Sequence, residues 1–374
     1  MSRIADKFII FSLVLIVPTK TISQRTDTTQ QAALSLNFYE INAYVEATKS
    51  TPHVIIELDN NGQILLACAA GKTLEQLKME GIQFTQSQIR LLRDWRLLQK
   101  EGEVLKTRFP ILNGTRSTRL RNMMNETASI IGQNLQKDIT ELASELLSMG
   151  REKSIYTILF SYVLDDLVWR IFENDSLIQK RKITIDKPFW SGILWAIYPP
   201  RDFSCGTNSI SSKGVTLKIN WSKAANKKIN RLFADWDIFG QMFNELVEKG
   251  KVETEQAQKA FMRFNLVDSS GNFTIPVITE NKDNRLYQIS LDISQEVNKF
   301  VLQLIDLKEI RKEFDFPDEE HALVISYHEL MWELLDFFEQ QGHIKKPIAF
   351  ENPDLAQLKD IGDLLIIVKS KDVE

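Results

Sequence analysis

The chain has 374 residues, of which 43% are hydrophobic, and a formal net charge of −4. This length is enough for a hydrophobic core and makes two domains the default expectation. The mildly acidic balance excludes a global attraction for nucleic acid or anionic membrane, although it allows a local basic patch.

The first residues are typical of an export signal. Arg3 and Lys7 precede an apolar run, Phe8 to Val17, and a short polar stretch follows. This order predicts a signal peptide over residues 1–23, cleaved before Gln24. A membrane span needs about 20 apolar residues, so no stable membrane span is expected. The alternative is a buried N-terminal helix. Cleavage would leave 43 basic and 49 acidic side chains, a net charge of −6.

Residues 24–180 are predicted to form an N-terminal, mainly helical half. We expect a helix from about Leu34 to Thr48. A β-hairpin is expected next, because two apolar segments flank Asn60, Asn61 and Gly62, and Asn-Gly is a strong hairpin signal.

The next segment contains two predicted helix starts. Thr73 is placed to cap a short helix, and Thr85 a second helix that runs to Gly102. A strand-like VLKTRFPIL then follows. Helix, turn, longer helix and strand is the order of a winged-helix unit, and these about 45 residues resemble that superfamily in topology, without a specific motif.

Two longer helices are expected after this unit. The first has Ile131, Leu135 and Ile139 on one stripe, and the second is the apolar segment SIYTILFSYVLDDLVWRIFE. Residues 181–225 are then rich in β-branched and aromatic residues. They predict strands at 183–186, 191–198 and 214–221, with a loop between the last two.

Residues 226–374 are predicted to repeat the first half. LLQKEGEV (97–104) matches ELVEKGKV (245–252), and FSYVLDDLVW (160–169) matches ISYHELMW (325–332). We interpret this as an internal duplication. The alternative is that helical segments share Leu and Trp spacings. The predicted fold class is therefore α+β, predominantly helical, with two winged-helix-like halves around a small aromatic-rich β segment. The final LLIIVKS is a predicted strand that pairs with VIIEL near the front.

Candidate catalytic groups are few. Asp165 and Asp166 lie in an apolar helix, where burial would raise a carboxyl pKa and suit acid–base chemistry. Glu329 follows His328 at the matching place in the second half, which favours a structural role for both acidic positions. HELMWE lacks the second histidine of the zinc-protease helix, so neither a metal nor another cofactor is predicted.

Other candidates are binding residues. Arg90, Arg93 and Arg96 follow one another along the second winged-helix-like helix, and the wing adds Lys106 and Arg108. Such a basic patch suits phosphates, a protein partner or internal ion pairs. Three aromatic residues, Trp190, Trp195 and Tyr198, are candidates for a recognition surface. The alternative, that they pack in the core, is favoured because large aromatic side chains dominate core burial.

Cys68 and Cys205 are the only cysteines. Two free thiols are at least as well supported as one disulfide, because the residues lie far apart in different contexts. Cys205 could be imagined as a nucleophile, but the sequence marks no histidine as its partner.

These features predict an exported, non-catalytic binding or assembly protein of the cell envelope or extracellular space, with a protein partner. The first alternative is an extracytoplasmic hydrolase that uses the carboxylates. The second is a cytoplasmic winged-helix DNA-binding regulator, which would apply if residues 1–23 are not a signal.

Overall fold

The computed structural model describes residues 35–48, 50–202, 205–212, 214–222, 236–263, 265–347 and 364–369. About 53% is helix and 18% is strand in small sheets, which confirms an α+β class dominated by helix. The predicted signal peptide lies outside the described residues. Within them, no helix combines the length and apolar character needed to cross a membrane.

The described helices follow one another along the chain as α1 (Pro52–Glu57), α2 (Asn61–Ala67), α3 (Leu74–Met79), α4 (Gln86–Asp94), α5 (Gly114–Ser148), α6 (Ile155–Thr157, Ile158–Leu167 and Val168–Asn174), α7 (Trp236–Lys249), α8 (Glu255–Met262), α9 (Arg285–Leu304), α10 (Leu307–Glu313) and α11 (Glu319–Gln340). The described strands are β1 (Glu40–Ala47), β2 (Lys72–Thr73), β3 (Leu98–Glu101), β4 (Val104–Thr107), β5 (Ile111–Leu112), β6 (Trp190–Ile197), β7 (Cys205–Ser212), β8 (Val215–Ser222), β9 (Val277–Glu280) and β10 (Leu364–Lys369).

Two predictions near the front of the chain are wrong. The expected helix from Leu34 to Thr48 is mainly strand β1, which pairs antiparallel with β6 along its whole length. The expected Asn-Gly hairpin is the helix pair α1 and α2. Pro52 fits the first position of α1, and the buried Asn61 amide donates to the Ile55 carbonyl at 2.8 Å. Long-range pairing and this buried contact override the local signals.

The predicted helix caps are confirmed. Thr73 and Thr85 each accept a hydrogen bond from the backbone N–H three residues later, and Gln76 and Gln88 reach back to complete capping boxes. Helix α4 ends at Asp94 rather than Gly102, because the following residues form the hairpin β3–β4.

The middle and the end of the chain give a mixed outcome. Strands are confirmed at β6 and β8, but 183–186 contributes only an isolated bridge, Thr184 to Lys187. The expected loop between the last two predicted strands contains strand β7, which pairs antiparallel with β8. Strand β10 is confirmed, but it pairs with β8 and β9, since VIIEL is helical.

The chain divides into two compact units. Unit 1 contains the described residues up to Asn122, with Gln179–Asp202 and Leu307–Ser326. Its two sheets have the strand orders β1–β6–β5 and β2–β4–β3. One apolar core joins α1, α2, α4 and both sheets, and Cys68 is a buried free thiol within it.

Unit 2 contains Met123–Ile178 and the described parts of Phe203–Asp306 and Tyr327–Glu374. Its sheet has the strand order β7–β8–β10–β9. Val215, Leu217 and Ile219 of β8 pack into a core with α7 and α8 on one face. Since side chains alternate along a strand, the other face carries a different set of β8 residues.

The helical part of unit 2 includes a long π-helical stretch. Helix α6 is π-helical over Ile158–Leu167, and the Val168 N–H reaches the Val163 carbonyl. Trp169 and Phe172 pack edge-on against Tyr327, with ring centroids 4.7 and 5.0 Å away. Stretches of π-helix are rare and often occur at functional sites. Asp165 and Asp166 lie in this stretch and are therefore candidate functional residues.

Candidate functional site

The two aspartates of α6 lie in a cluster of charged side chains in unit 2. Asp166 Oδ2 lies 2.9 Å from Lys218 Nζ, and its Oδ1 lies 3.0 Å from Arg170 Nε. Arg170 also donates two hydrogen bonds to Glu280, at 2.5 and 3.2 Å, and the Tyr162 hydroxyl donates to Glu280 at 3.0 Å. We call these five residues and Asp165 the charge cluster.

Electrostatics separate the two neighbouring aspartates. Burial raises the pKa of Asp165 to about 6, although Lys218, His328 and a hydrogen bond from Trp169 at 3.2 Å act in the opposite direction. Burial would also raise the pKa of Asp166, but Lys218 and Arg170 bring it below its ordinary value. Asp166 is therefore a fixed negative charge, whereas Asp165 exchanges a proton near neutral pH.

The structure brings the four candidate catalytic residues, Asp165, Asp166, His328 and Glu329, into one neighbourhood. The charge of His328 acts on Asp165, and His328 Nδ1 lies 3.4 Å from Glu329 Oε1. Glu329 is fully buried, and His328 is partly buried. Among the residues described, no group of three or more His, Cys, Asp or Glu side chains is arranged to hold a metal ion. The hydrolase stays a prediction, for which Asp165 is the acid–base group.

The predicted basic residues lie in unit 1. Arg93 lies near the end of α4, and Arg96 follows that helix with a left-handed backbone, φ 56°. The Arg108 N–H donates to the Leu97 carbonyl at 3.0 Å, so Arg108 extends the β3–β4 hairpin beside Arg96. Lys106, two residues before Arg108, is exposed on β4. We call Arg93, Arg96, Lys106 and Arg108 the basic face.

Two of these cations lie close enough to repel each other. Burial lowers the pKa of the Arg108 guanidinium, and the positive charge of Arg96 lowers it further. Arg96 donates to the Asp186 backbone carbonyl at 3.4 Å. In the part of the chain that the structure describes, no residue of the basic face forms an ion pair with a carboxylate. Arg90 differs, since it lies 3.6 Å from Asp94 on the surface.

The three predicted aromatic residues differ in burial. Trp195 is 1% exposed and is therefore buried, which agrees with a packing role. Trp190 is partly exposed, and its indole N–H donates to the Trp95 carbonyl at 2.6 Å. Tyr198 is partly exposed beside Tyr39, with ring centroids 5.4 Å apart. A recognition role stays a prediction. Only Trp190 and Tyr198 of these three residues are exposed enough to contact a ligand.

Sequence reasoning missed the partners of the two aspartates. Lys218, the partner of Asp166, is 7% exposed, and Glu280, the partner of Arg170, is 4% exposed. Charged side chains are rarely this buried unless they are paired. One signal was present: Thr216, Lys218 and Asn220 alternate with apolar residues in β8, as in a strand with two different faces. That pattern marks a polar face, although it does not identify what the face contacts.

Comparison of the chain with protein-family models, curated proteins and solved structures finds no match.

Proposed function

We propose that this protein is a non-catalytic binding protein whose partner, a protein with an acidic surface, binds to the basic face of unit 1. The observation that carries the proposal is the pair Arg96 and Arg108. These like charges lie close together, and the described residues provide neither with an ion pair. Such an arrangement is unfavourable in the free protein and is relieved when a partner supplies negative charge.

The backbone of Arg96 supports this role. A left-handed conformation favours Gly or Asn and costs a residue with a long side chain on the order of 1 kcal/mol. Arg96 has φ 56° and is partly exposed. Glycine would adopt this conformation without strain. The presence of arginine therefore supports a functional role for the guanidinium of Arg96.

A winged-helix-like unit is the second part of the proposal. Helix α2, strand β2, helices α3 and α4, and the hairpin β3–β4 follow one another in the order of such a unit. The sheet order β2–β4–β3 places the last strand in the middle, and all pairs are antiparallel. The basic face would then lie at the end of the second helix of the helix–turn–helix and on the wing.

A related arrangement in unit 2 supports an internal duplication. The Leu97 N–H bonds the Leu92 carbonyl after left-handed Arg96, and the Leu266 N–H bonds the Phe261 carbonyl after left-handed Asn265. A short hairpin, a proline and a strand follow in each case. The carbonyls of Pro110 and Pro276 then accept hydrogen bonds from Ala196 and Ile366 at 3.0 Å.

The register of this repeat differs from the sequence match. Residues 97–104 form most of the β3–β4 hairpin, whereas 245–252 contain the end of helix α7, so these two segments do not correspond in structure. Strands β5 and β9, which pair in parallel with β6 and β10, give the better correspondence.

Site-directed cross-linking tests the binding surface. A photo-reactive residue at position 99, opposite Lys106 in the hairpin, should capture one specific partner in cells. The same residue at exposed position 147 of unit 2 is the control. Capture at position 99 that is lost with Arg96→Gln/Arg108→Gln supports the proposal. Equal capture from both positions, or capture unaffected by the double variant, contradicts it.

We also propose that the protein works outside the cytoplasm, in the periplasm or as a secreted protein. Support comes from the order of Arg3, Lys7 and the apolar run in the sequence. Cell fractionation with N-terminal sequencing tests this proposal. A mature chain that begins near Gln24 outside the cytoplasm supports it, and a cytoplasmic chain that retains Met1 contradicts it.

A second candidate is a cytoplasmic DNA-binding regulator. The basic face favours it, because its cations lie at the end of a helix–turn–helix and on the wing, where such proteins contact DNA. In that case duplex DNA binding should fall with salt, with a log–log slope of about −3.6 if four cations each contact a phosphate. Arg108→Gln should reduce the magnitude of the slope by about 1. A slope near zero, or one unchanged in the variant, argues against this candidate.

A further inference from the structure

One face of the β7–β8 ribbon in unit 2 is polar. Val215, Leu217 and Ile219 point into the apolar core, so Thr216, Lys218 and Asn220 lie on the opposite face of β8. The strand register places Ser211, Ser209 and Thr207 of β7 directly across from these three residues. Paired residues lie on the same side of a sheet, which makes this face a double row of polar side chains.

Two members of the β8 row have partners. The Thr216 hydroxyl lies 2.8 Å from the Ser211 hydroxyl, and Lys218 forms its ion pair with Asp166. Asn220 differs: it is 2% exposed, and neither its amide nitrogen nor its amide oxygen has a hydrogen-bond partner among the described residues. The hydroxyl of Thr207, across from it, is also buried and has no partner in that part of the chain.

Buried polar atoms without partners are costly. Each such group loses its hydrogen bonds to water without regaining them in the protein, and buried polar groups in folded proteins are normally satisfied. Here three atoms on two facing side chains share this condition. Their clustering at one cross-strand pair points to a molecule that supplies the hydrogen bonds to all of them.

The chemistry of that molecule follows from the side chains. An asparagine amide presents a donor beside an acceptor, and a hydroxyl offers both, so the complement is a group with an acceptor beside a donor. The adjacent cation, Lys218, already pairs with Asp166, and Arg170 pairs with Glu280. Because these two described cations are engaged in ion pairs, neither is available as a counter-charge for an anion, which favours an uncharged ligand.

We propose that Asn220 and Thr207 form a binding site for a small uncharged molecule that carries an amide group. The amide oxygen accepts from the Asn220 Nδ2 group, and the amide N–H donates to Asn220 Oδ1 or to the Thr207 hydroxyl. The site lies in unit 2, so it does not depend on the basic face of unit 1.

Titration of the full-length protein with acetamide tests this site. Isotope-labelled asparagine allows the Asn220 side-chain amide resonances to be followed by NMR. Acetamide should shift these resonances saturably, whereas acetate, which has the same shape and a negative charge, should not. Asn220→Leu and Thr207→Val should each reduce the increase in melting temperature caused by acetamide. Thr207→Val should also weaken binding at least about tenfold in the NMR titration.

Thr216→Val is the matched control, because it removes a hydroxyl from the same face that already has a partner. It should leave acetamide binding unchanged. If Asn220→Leu does not fold, Thr207→Val alone decides the question. The proposal is overturned if acetamide gives no saturable shift, if acetate binds as well, or if Thr207→Val binds acetamide like the natural protein.

Discussion

Lys218 of strand β8 and Asp166 of the π-helical stretch form an ion pair at 2.9 Å. The Lys218 side chain is 8% exposed and that of Asp166 is 20% exposed. The pair links the unit 2 sheet to helix α6, and Arg170 extends it to Glu280 on β9. The charge cluster therefore joins three elements that are distant in the sequence.

Lys218→Met should destabilise the protein by about 3 kcal/mol, because it leaves Asp166 with one fewer counter-charge in a largely buried place. Urea unfolding measures the change. The matched control is Lys259→Met, which breaks an exposed ion pair with Glu255 on α8 and should cost less than about 0.5 kcal/mol. Equal losses in the two variants would show that the cluster has no special role in stability.

The proton equilibrium of Asp165 predicts a pH dependence. Its folded-state pKa, about 6, lies above the unfolded value of about 3.9. The folded state therefore favours the protonated carboxyl. The stability that Asp165 contributes is complete below about pH 4 and is lost as the pH rises to about 6. Relative to Asp165→Asn, the natural protein should lose roughly 1–2 kcal/mol of unfolding free energy over this range, a value reduced for partial exposure. A difference between the two proteins that does not change with pH would contradict this assignment.

Two helix glycines should respond in opposite directions to alanine. A Cβ at Gly132 of α5 would lie 2.3 Å from the Phe337 ring, so Gly132→Ala should cost about 1–3 kcal/mol. A Cβ at Gly240 of α7 would meet no heavy atom of the described residues within 4 Å. Gly240→Ala should therefore stabilise by up to about 1 kcal/mol through helix propensity. Thermal unfolding of both variants checks the pair. A Gly132→Ala variant as stable as Gly240→Ala would contradict the packing of α5 against α11.

Arg96→Gly should separate stability from binding. Glycine adopts φ near 56° without strain, so the variant should gain on the order of 1 kcal/mol in unfolding free energy while losing affinity for the partner. Asn265→Gly is the comparison in unit 2, where asparagine already tolerates φ 54° and the gain should be smaller. If Arg96→Gly is instead less stable than the natural protein, the contact of the guanidinium with Asp186 stabilises the fold by more than the backbone strain destabilises it.

Local signals predicted the helices better than the strands. Thr73, Thr85 and the apolar stripe of α5 specify helices through neighbours within a few residues, so they could be found from the sequence. Strands β1 and β7 depend on pairing with β6 and β8, which are distant in the chain, and the CGTNSISS of β7 has little intrinsic strand preference.

The candidate sites divide in the same way. The arginines follow one another along one short segment, so a basic patch could be anticipated. Lys218 of β8 and His328 of α11 act on the two aspartates, and their approach depends on the tertiary fold. The proximity of Arg96 and Arg108 likewise required the hairpin register.

The central claim is that a partner binds to the basic face, and the most direct measurement is the affinity of the macromolecule captured from position 99. Isothermal titration should compare the natural protein with Arg96→Gln/Arg108→Gln and with Arg90→Gln, whose arginine is already paired with Asp94. We expect the double variant to bind at least about tenfold more weakly and Arg90→Gln to bind within about twofold of the natural protein. Equal affinity of the double variant and the natural protein would contradict the claim.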